Sequence, residues 1–441
     1  MERRRDRWLL RRRRDPRVIR FLHPAAVLLA LLAPWLLIHV FAAAEIGIDL
    51  IGACFLWHCI VARDWAWLRQ AWVVVGLVWW GWLVVCTVLN LGLPGQNVMA
   101  LLQAVALLRL LLLAAALEAW VLHGAQERRW FLASFSLATL YVALQVLLQF
   151  VTGHNLYGAP RWGDGSLTGP FTKPRAGPTF VRMLFPALLP AVGALLARPG
   201  RWPRLGGMAL VLGGVGIVVL IGQRIPVLLS GLGLVLTGLI LPRLRVMVAV
   251  GIVAGAMLIA ASATLSPPTF YRLVTKFSQQ MEGFSDSAYG LIATRSVAIA
   301  VQHPWTGRGY DGFRSGCPQP RYFQVWHWDG SMGAGDGGGG GMCVTHPHNF
   351  YLQAVTDAGL PGLALFCALV GVWLHRLGRG LVRDPDPVRA GLFVAAFIQL
   401  WPIASNSALQ SMPVGVWLFL LLGFGLAEAK AAAAPRGVGA V

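Results

Sequence analysis

Residues 71–90 read AWVVVGLVWWGWLVVCTVLN, twenty positions without one charged side chain. A helix rises 1.5 Å per residue, so this run covers about 30 Å, the thickness of a bilayer's hydrocarbon core. Lipid offers backbone N–H and C=O groups no partners, and a helix pairs them within one segment. The stretch therefore reads as a membrane-spanning helix. Runs of the same kind lie on both sides of it, about twelve in all. They are 24–42, 45–62, 71–90, 100–122, 130–151, 178–197, 205–222, 226–241, 246–265, 350–375, 388–405 and 411–428. The run 226–241 is short and starts with Pro226, which suggests a tilted or partly re-entrant helix.

The composition of the 441 residues agrees: 57% are hydrophobic and 12% charged, about half the usual charged share. That excludes a set of water-soluble globules, and also the disordered, collagen-like and small disulfide-rich classes. The expected fold class is an all-α polytopic membrane protein. The expected organisation is a cytoplasmic basic arm over 1–23, nine spans over 24–265, a long loop with amphipathic helices over 266–349, three spans over 350–428, and a cytoplasmic tail over 429–441.

Charge sets the expected orientation. The net charge is +19, and residues 1–20 carry ten Arg against Glu2, Asp6 and Asp15. This arm reads as a cytoplasmic anchor near anionic lipid. An RNA-binding arm is the alternative, but no aromatic stacking pattern accompanies it. No small-residue cleavage site closes the following run, so the arm is expected to be retained. With the arm inside, every second connection is also inside and basic: Arg63 to Arg69, Arg128–Arg129, Arg198 to Arg204, Arg243 to Arg245 and Arg376 to Arg389. The short connections near 43, 91–96 and 405–410 contain no Lys or Arg. Three segments outside carry positive charge against this bias: 152–177 with Arg161, Lys173 and Arg175, the turn at Gly222–Arg224, and the loop 266–349. Arginines on the disfavoured side are candidates for ligand contacts. Long loops cross regardless of charge, which accounts for the third segment but not for Arg224, held in a tight turn between two spans.

Four cysteines, Cys54, Cys59, Cys86 and Cys367, lie in apolar runs and read as packing residues. Cys317 and Cys343 lie in the long loop and can form a disulfide if it is outside the cytoplasm. Phe270, Leu273, Val274 and Phe277, and then Ser287 to about Gln302, have helical spacing and suggest surface or capping helices. His303-Pro304 ends the second. Gly-Arg-Gly-Tyr-Asp-Gly over 307–312 has only a superficial likeness to a phosphate loop, and Gly337–Gly341 reads as a flap.

The loop closes with Thr345-His346-Pro347-His348-Asn349-Phe350. Asn349 is a fitting N-cap for the next span, which puts His348 at a helix N-terminus. The positive helix end lowers an imidazole pKa, favouring the neutral form a general base needs. Two other readings stand beside this one. Cys343, His346 and His348 form a metal cluster with a residue such as His327, or the two histidines simply cap the helix. Asp357, two turns on, reads equally as a solvated helix residue. Gly359 and Pro361 permit a kink.

These motifs resemble the O-antigen ligase and polymerase superfamily of bacterial membrane glycosyltransferases. The similar features are His348-Asn349-x-x-Leu352 followed by Asp357-Ala-Gly359-Leu-Pro-Gly362, and Arg295 followed by His303-Pro304-Trp-Thr-Gly307-Arg-Gly309. Arg224 after an apolar span and a long loop before the histidine motif complete the likeness, which covers roughly residues 170–375. Gln223-Arg224-Ile225 departs from the commoner Ser-Arg-Gly.

The resemblance implies a lipid-donor glycosyltransferase fold (GT-C-like) using neither nucleotide sugar, metal nor other cofactor. It implies transfer of O-antigen from undecaprenyl diphosphate to lipid A–core at the periplasmic face of the inner membrane. Chemistry allots roles to the residues: Arg224 and Arg295 hold the diphosphate, and His348 takes the acceptor's proton. Arg161, Arg175, Arg182, His346 and Asn349 are expected to assist substrate binding. An O-antigen polymerase and a protein O-oligosaccharyltransferase share this donor chemistry. A lipid-linked glycan transporter is the rival of another class, with Arg109 and Glu118 as its in-span charges, although no internal repeat accompanies them.

Overall fold

The computed structural model describes residues 16–326, 332–334, 341, 343–405 and 408–433. The basic arm 1–15, His327 and residues 337–340 of the expected flap lie outside the described residues. Nine helices precede the long loop: α1 Pro16–His39, α2 Phe41–Ala62, α3 Ala71–Leu89, α4 Val98–Val121, α5 Ala125–Thr152, α6 Ala176–Leu196, α7 Arg201–Ile221, α8 Arg224–Ile240 and α9 Arg245–Leu265. The loop holds α10 Lys276–Glu282 and α11 Ala288–Gln302. Then come α12 Phe350–Gly378, α13 Pro387–Gln399 and α14 Met412–Ala433. Among the described residues, ten helices are long and apolar enough to cross a membrane. The protein is an all-α, multi-pass membrane protein. A short antiparallel pair, Gln324–Trp326 with Met332–Ala334, is the one sheet among the described residues.

Outside the long loop, α8 and α13 are the short helices, with 17 and 13 residues. At 1.5 Å per residue α13 reaches about 20 Å, too little for a full span. The expected run 388–405 therefore overshoots. The chain leaves the helix at Leu400 because Pro402 disfavours helical geometry at Trp401 and has no N–H to donate. α13 packs closely on α6, where a Cβ on Gly391 would stand 2.5 Å from the Phe185 carbonyl oxygen. Between apolar helices in lipid, close backbone approach of this kind supplies the packing energy. α14 is buried nearly all round, from Val416 to Leu422 without a break, and forms the centre of the bundle.

The connections sort into two faces. On one, Arg376 donates to Glu118 (3.0 Å) and Gln70 (2.8 Å), Arg128 pairs with Glu428 (3.2 Å), and Arg389 donates to the Arg379 carbonyl. On the other, Arg308 donates to the Pro94 carbonyl (3.1 Å) and Gln96 to the Tyr310 carbonyl (2.9 Å). There too Arg272 donates to the Gly222 carbonyl (3.1 Å) and to that of Asp164. Every segment joined on the second face belongs to the set read from sequence as non-cytoplasmic. Two in-span charges are paired: Glu118 as above, and Arg109 with Asp49 at 3.4 Å.

The break in α12 is what shapes the second face. Ala358 and Gly359 leave helical geometry, Gly359 at φ +67°, where a Cβ would also stand 2.5 Å from the Trp305 carbonyl oxygen. The break frees backbone groups, and the loop satisfies them. Arg308 and Gly309 donate their N–H groups to the carbonyls of Thr356 (2.8 Å) and Asp357 (2.9 Å), and Leu360 N–H donates to Pro304 (2.7 Å). The glycine-rich 307–312 segment is thus a clasp on a broken helix. Asp357 is not solvated: it is 2% exposed and accepts from Gly312 N–H (2.8 Å) and from the Gln410 amide. Burial in low dielectric explains why this carboxyl needs both donors.

Candidate active site at the loop face

Asn349 caps α12 as its sequence position suggests, its Oδ1 accepting from Tyr351 N–H (2.9 Å) and Leu352 N–H (3.1 Å). Its amide donates to the Pro402 carbonyl at 2.6 Å. His348, just before the cap, has φ +54°. That left-handed backbone is uncommon for a side chain with a Cβ and clusters at functional sites. The half-buried imidazole lies 4.4 Å from the His346 ring and 5.6 Å from the Tyr289 ring of α11, centroid to centroid. Burial pushes the His348 pKa below 6.5. Burial and the neighbouring His348 bring His346 down to about 4. Both rings are therefore neutral near pH 7. His346 Nδ1 meets Thr345 Oγ1 at 2.8 Å, and its buried Nε2 has no hydrogen-bond partner among the described residues.

Arg224 is the first residue of α8, half-buried, with its guanidinium donating to Gln280 of α10. Arg272 holds the turn before it, since the accepting carbonyl belongs to Gly222. Gln223 ties the same turn to the 152–177 segment through the Pro174 carbonyl (2.9 Å). Six residues into α6 stands Arg182, 7% exposed and without a hydrogen bond or ion pair among the described residues. It lines a cavity of about 50 Å³ with Ile225, Pro226, Leu229, Ile398, Gln399 and Ser405. That space admits a few water-sized groups beside the guanidinium. The cavity exists because α8 begins and α13 ends within the bundle. Ser405 lines it, and Pro402, three residues earlier in the chain, accepts from Asn349.

Arg161 and Arg175 stay at the exposed edge of the face. Arg161 donates to the Phe150 carbonyl (2.8 Å), and the Arg175 guanidinium lies 5.1 Å from the Phe41 ring centre. Arg295 is placed differently from its expected role. It is 2% exposed, donates to the Cys317 carbonyl at 2.6 Å, approaches Cys343 Sγ at 3.8 Å and lies 4.0 Å over the Phe323 ring. Packing within the loop, rather than an open phosphate site, surrounds that guanidinium. Cys317 and Cys343 are joined in a disulfide, which takes Cys343 out of the metal cluster considered from sequence.

Residues 208–367 match the O-antigen ligase family. The matched stretch contains Arg224, Arg295, His346, His348 and Asn349. Arg161, Arg175 and Arg182 precede it. Comparison with curated proteins found no match. Tyr289 and Gln280 are not singled out by the sequence as site residues, and Arg272 stands there only as one of the loop's outer arginines. They act through contacts far apart in the chain, and nothing in their spacing signals that.

Proposed function

We propose that the protein is an inverting, metal-independent glycosyltransferase. It moves O-antigen from undecaprenyl diphosphate to lipid A–core oligosaccharide at the periplasmic face of the bacterial inner membrane, with both termini cytoplasmic. The observation that carries this reading is the Asn349–Pro402 bond, which ties the residue after His348, with its left-handed backbone, to the chain three residues before Ser405, a wall residue of the Arg182 cavity. The family match supports lipid-linked glycan chemistry.

His348 takes the proton of the acceptor hydroxyl as its oxygen attacks the anomeric carbon. The bond from that carbon to the diphosphate breaks, and its electrons leave with the phosphate oxygen. Arg224 and Arg182 neutralise the growing negative charge, as guanidinium groups do for phosphate. One displacement inverts the anomeric centre, and the imidazolium then returns its proton to water. General-base help is worth about 10²–10⁴ in rate. His346, kept neutral, orients the His348 ring. Asn349 fixes the segment, and Arg161 and Arg175 meet the acceptor's phosphates at the rim. Arg295 positions the loop, for the packing reason given above.

The test is a transfer assay on the purified protein in nanodiscs with chelator present. Lipid A–core, a second lipid-linked repeat and a pilin-type protein are offered in turn. Glycosylated lipid A–core supports the ligase. Chain elongation identifies a polymerase, glycoprotein a protein O-oligosaccharyltransferase, and donor binding without any transfer a glycan transporter.

A further inference from the structure

Residues 343–349 have neither helix nor strand, and no backbone–backbone hydrogen bond among the described residues involves 343–348. Yet this stretch carries His348 at a left-handed backbone angle. Something other than its own ladder holds it. Downstream the anchor is Asn349, bound to the first turn of α12 and to Pro402. Upstream it is Cys343, bonded to Cys317 across a sequence separation of 26. Only five residues lie between the two anchors.

Cys317 is itself buried. It is 2% exposed in a small core with Ile292, Ala298, Ile299, Phe313 and Tyr322, against which Cys343 packs. Arg295 of α11 donates to the Cys317 carbonyl, and Tyr289 of the same helix packs on His348. One helix thus holds both the disulfide and the imidazole. Arg224 and Arg182, by contrast, stand on α8 and α6, outside the segment that the bond closes.

We infer that the Cys317–Cys343 disulfide is a positioning element for His348, so that turnover, but not donor binding, requires the loop to be oxidised. This rests on His348 being the base. A phosphine reductant cleaves the S–S bond, water supplying the oxygen of the phosphine oxide and the protons of the two thiols, and oxidised glutathione restores the bond by exchange, leaving as two reduced glutathiones.

The experiment uses the full-length protein in nanodiscs, oxidised, phosphine-reduced and reoxidised, beside the Cys317→Ser/Cys343→Ser variant. Reduction of the folded protein covers the case in which the variant does not fold. Hydrogen exchange of a peptide covering 343–352 is read together with kcat and the donor KM. Reduction is expected to speed exchange there, lower kcat at least tenfold, leave KM within twofold, and move the acidic limb of the pH profile toward 6.5. Reoxidation is expected to reverse all four. A loss of folded protein alone would lower kcat without moving the pH limb. Unchanged exchange, or unchanged kcat on complete reduction, overturns the inference. If the oxidised protein transfers to no acceptor, the functional reading falls instead, and exchange still decides whether the disulfide holds the segment.

Discussion

His348 and Tyr289 meet edge to face, with ring centroids 5.6 Å apart and planes inclined by 72°. One comes from the segment before α12 and the other from α11, so the contact sets the imidazole direction from outside its own stretch. Aromatic pairs of this kind are worth about 0.5–1.5 kcal/mol. Tyr289→Ala is expected to lower kcat about 2–10-fold, the rate equivalent of that energy. Tyr289→Phe keeps the ring and is expected to stay near wild type. Steady-state transfer rates of the two variants check this.

A general base works deprotonated, and burial has pushed the His348 pKa below 6.5. The active form therefore persists into mildly acidic solution. The plot of kcat/KM against pH is expected to be level above 6.5 and to fall only below it. A limb centred above 6.5 contradicts the assignment. His346, at about 4, stays neutral over most of that range. Its folded-state pKa is depressed, so the stability it contributes is present above 6.5 and lost as pH falls toward 4.

Arg182 is a buried cation without a partner among the described residues, and such a charge costs folding energy. Its removal separates stability from binding. Arg182→Met is expected to hold or raise the unfolding midpoint in detergent, and to raise the donor KM at least tenfold, since a charge-assisted hydrogen bond is worth about 1.5–3 kcal/mol. Arg224→Met is expected to weaken the donor similarly. A lowered midpoint with unchanged KM in Arg182→Met would show a structural arginine instead.

Gly359 combines φ +67° with the Trp305 carbonyl in the place of a Cβ. Gly359→Ala is expected to cost about 1–3 kcal/mol, read as a lower unfolding midpoint. It should also loosen the Arg308–Gly309 clasp, seen as faster hydrogen exchange at 304–312.

The spans were legible because charge-free runs of bilayer length have one backbone solution in lipid. The alternation of basic connections also anticipated which loops share a face. The Asn349 cap and the Gly359 kink were readable because each is a local backbone event with its own residue type. Residue type alone could not separate the arginines. Arg295 and Arg182 look alike in sequence, but one is packed under a disulfide and the other faces a cavity made by two short helices. Asp357 was misread for the same reason: its donors come from Gly312 and Gln410, both more than forty residues away. The early end of α13 was marked by Pro402 but masked by the apolar residues around it.

In the proposed mechanism His348 supplies the base while other residues hold the donor. Asn tolerates left-handed backbone angles, so His348→Asn removes the base and keeps the geometry. The measurement is the single-turnover rate of undecaprenyl diphosphate release with acceptor present, beside donor affinity in the same preparation. Unchanged affinity and release slowed about 10²–10⁴-fold are expected. Release at close to the wild-type rate would contradict this role of His348.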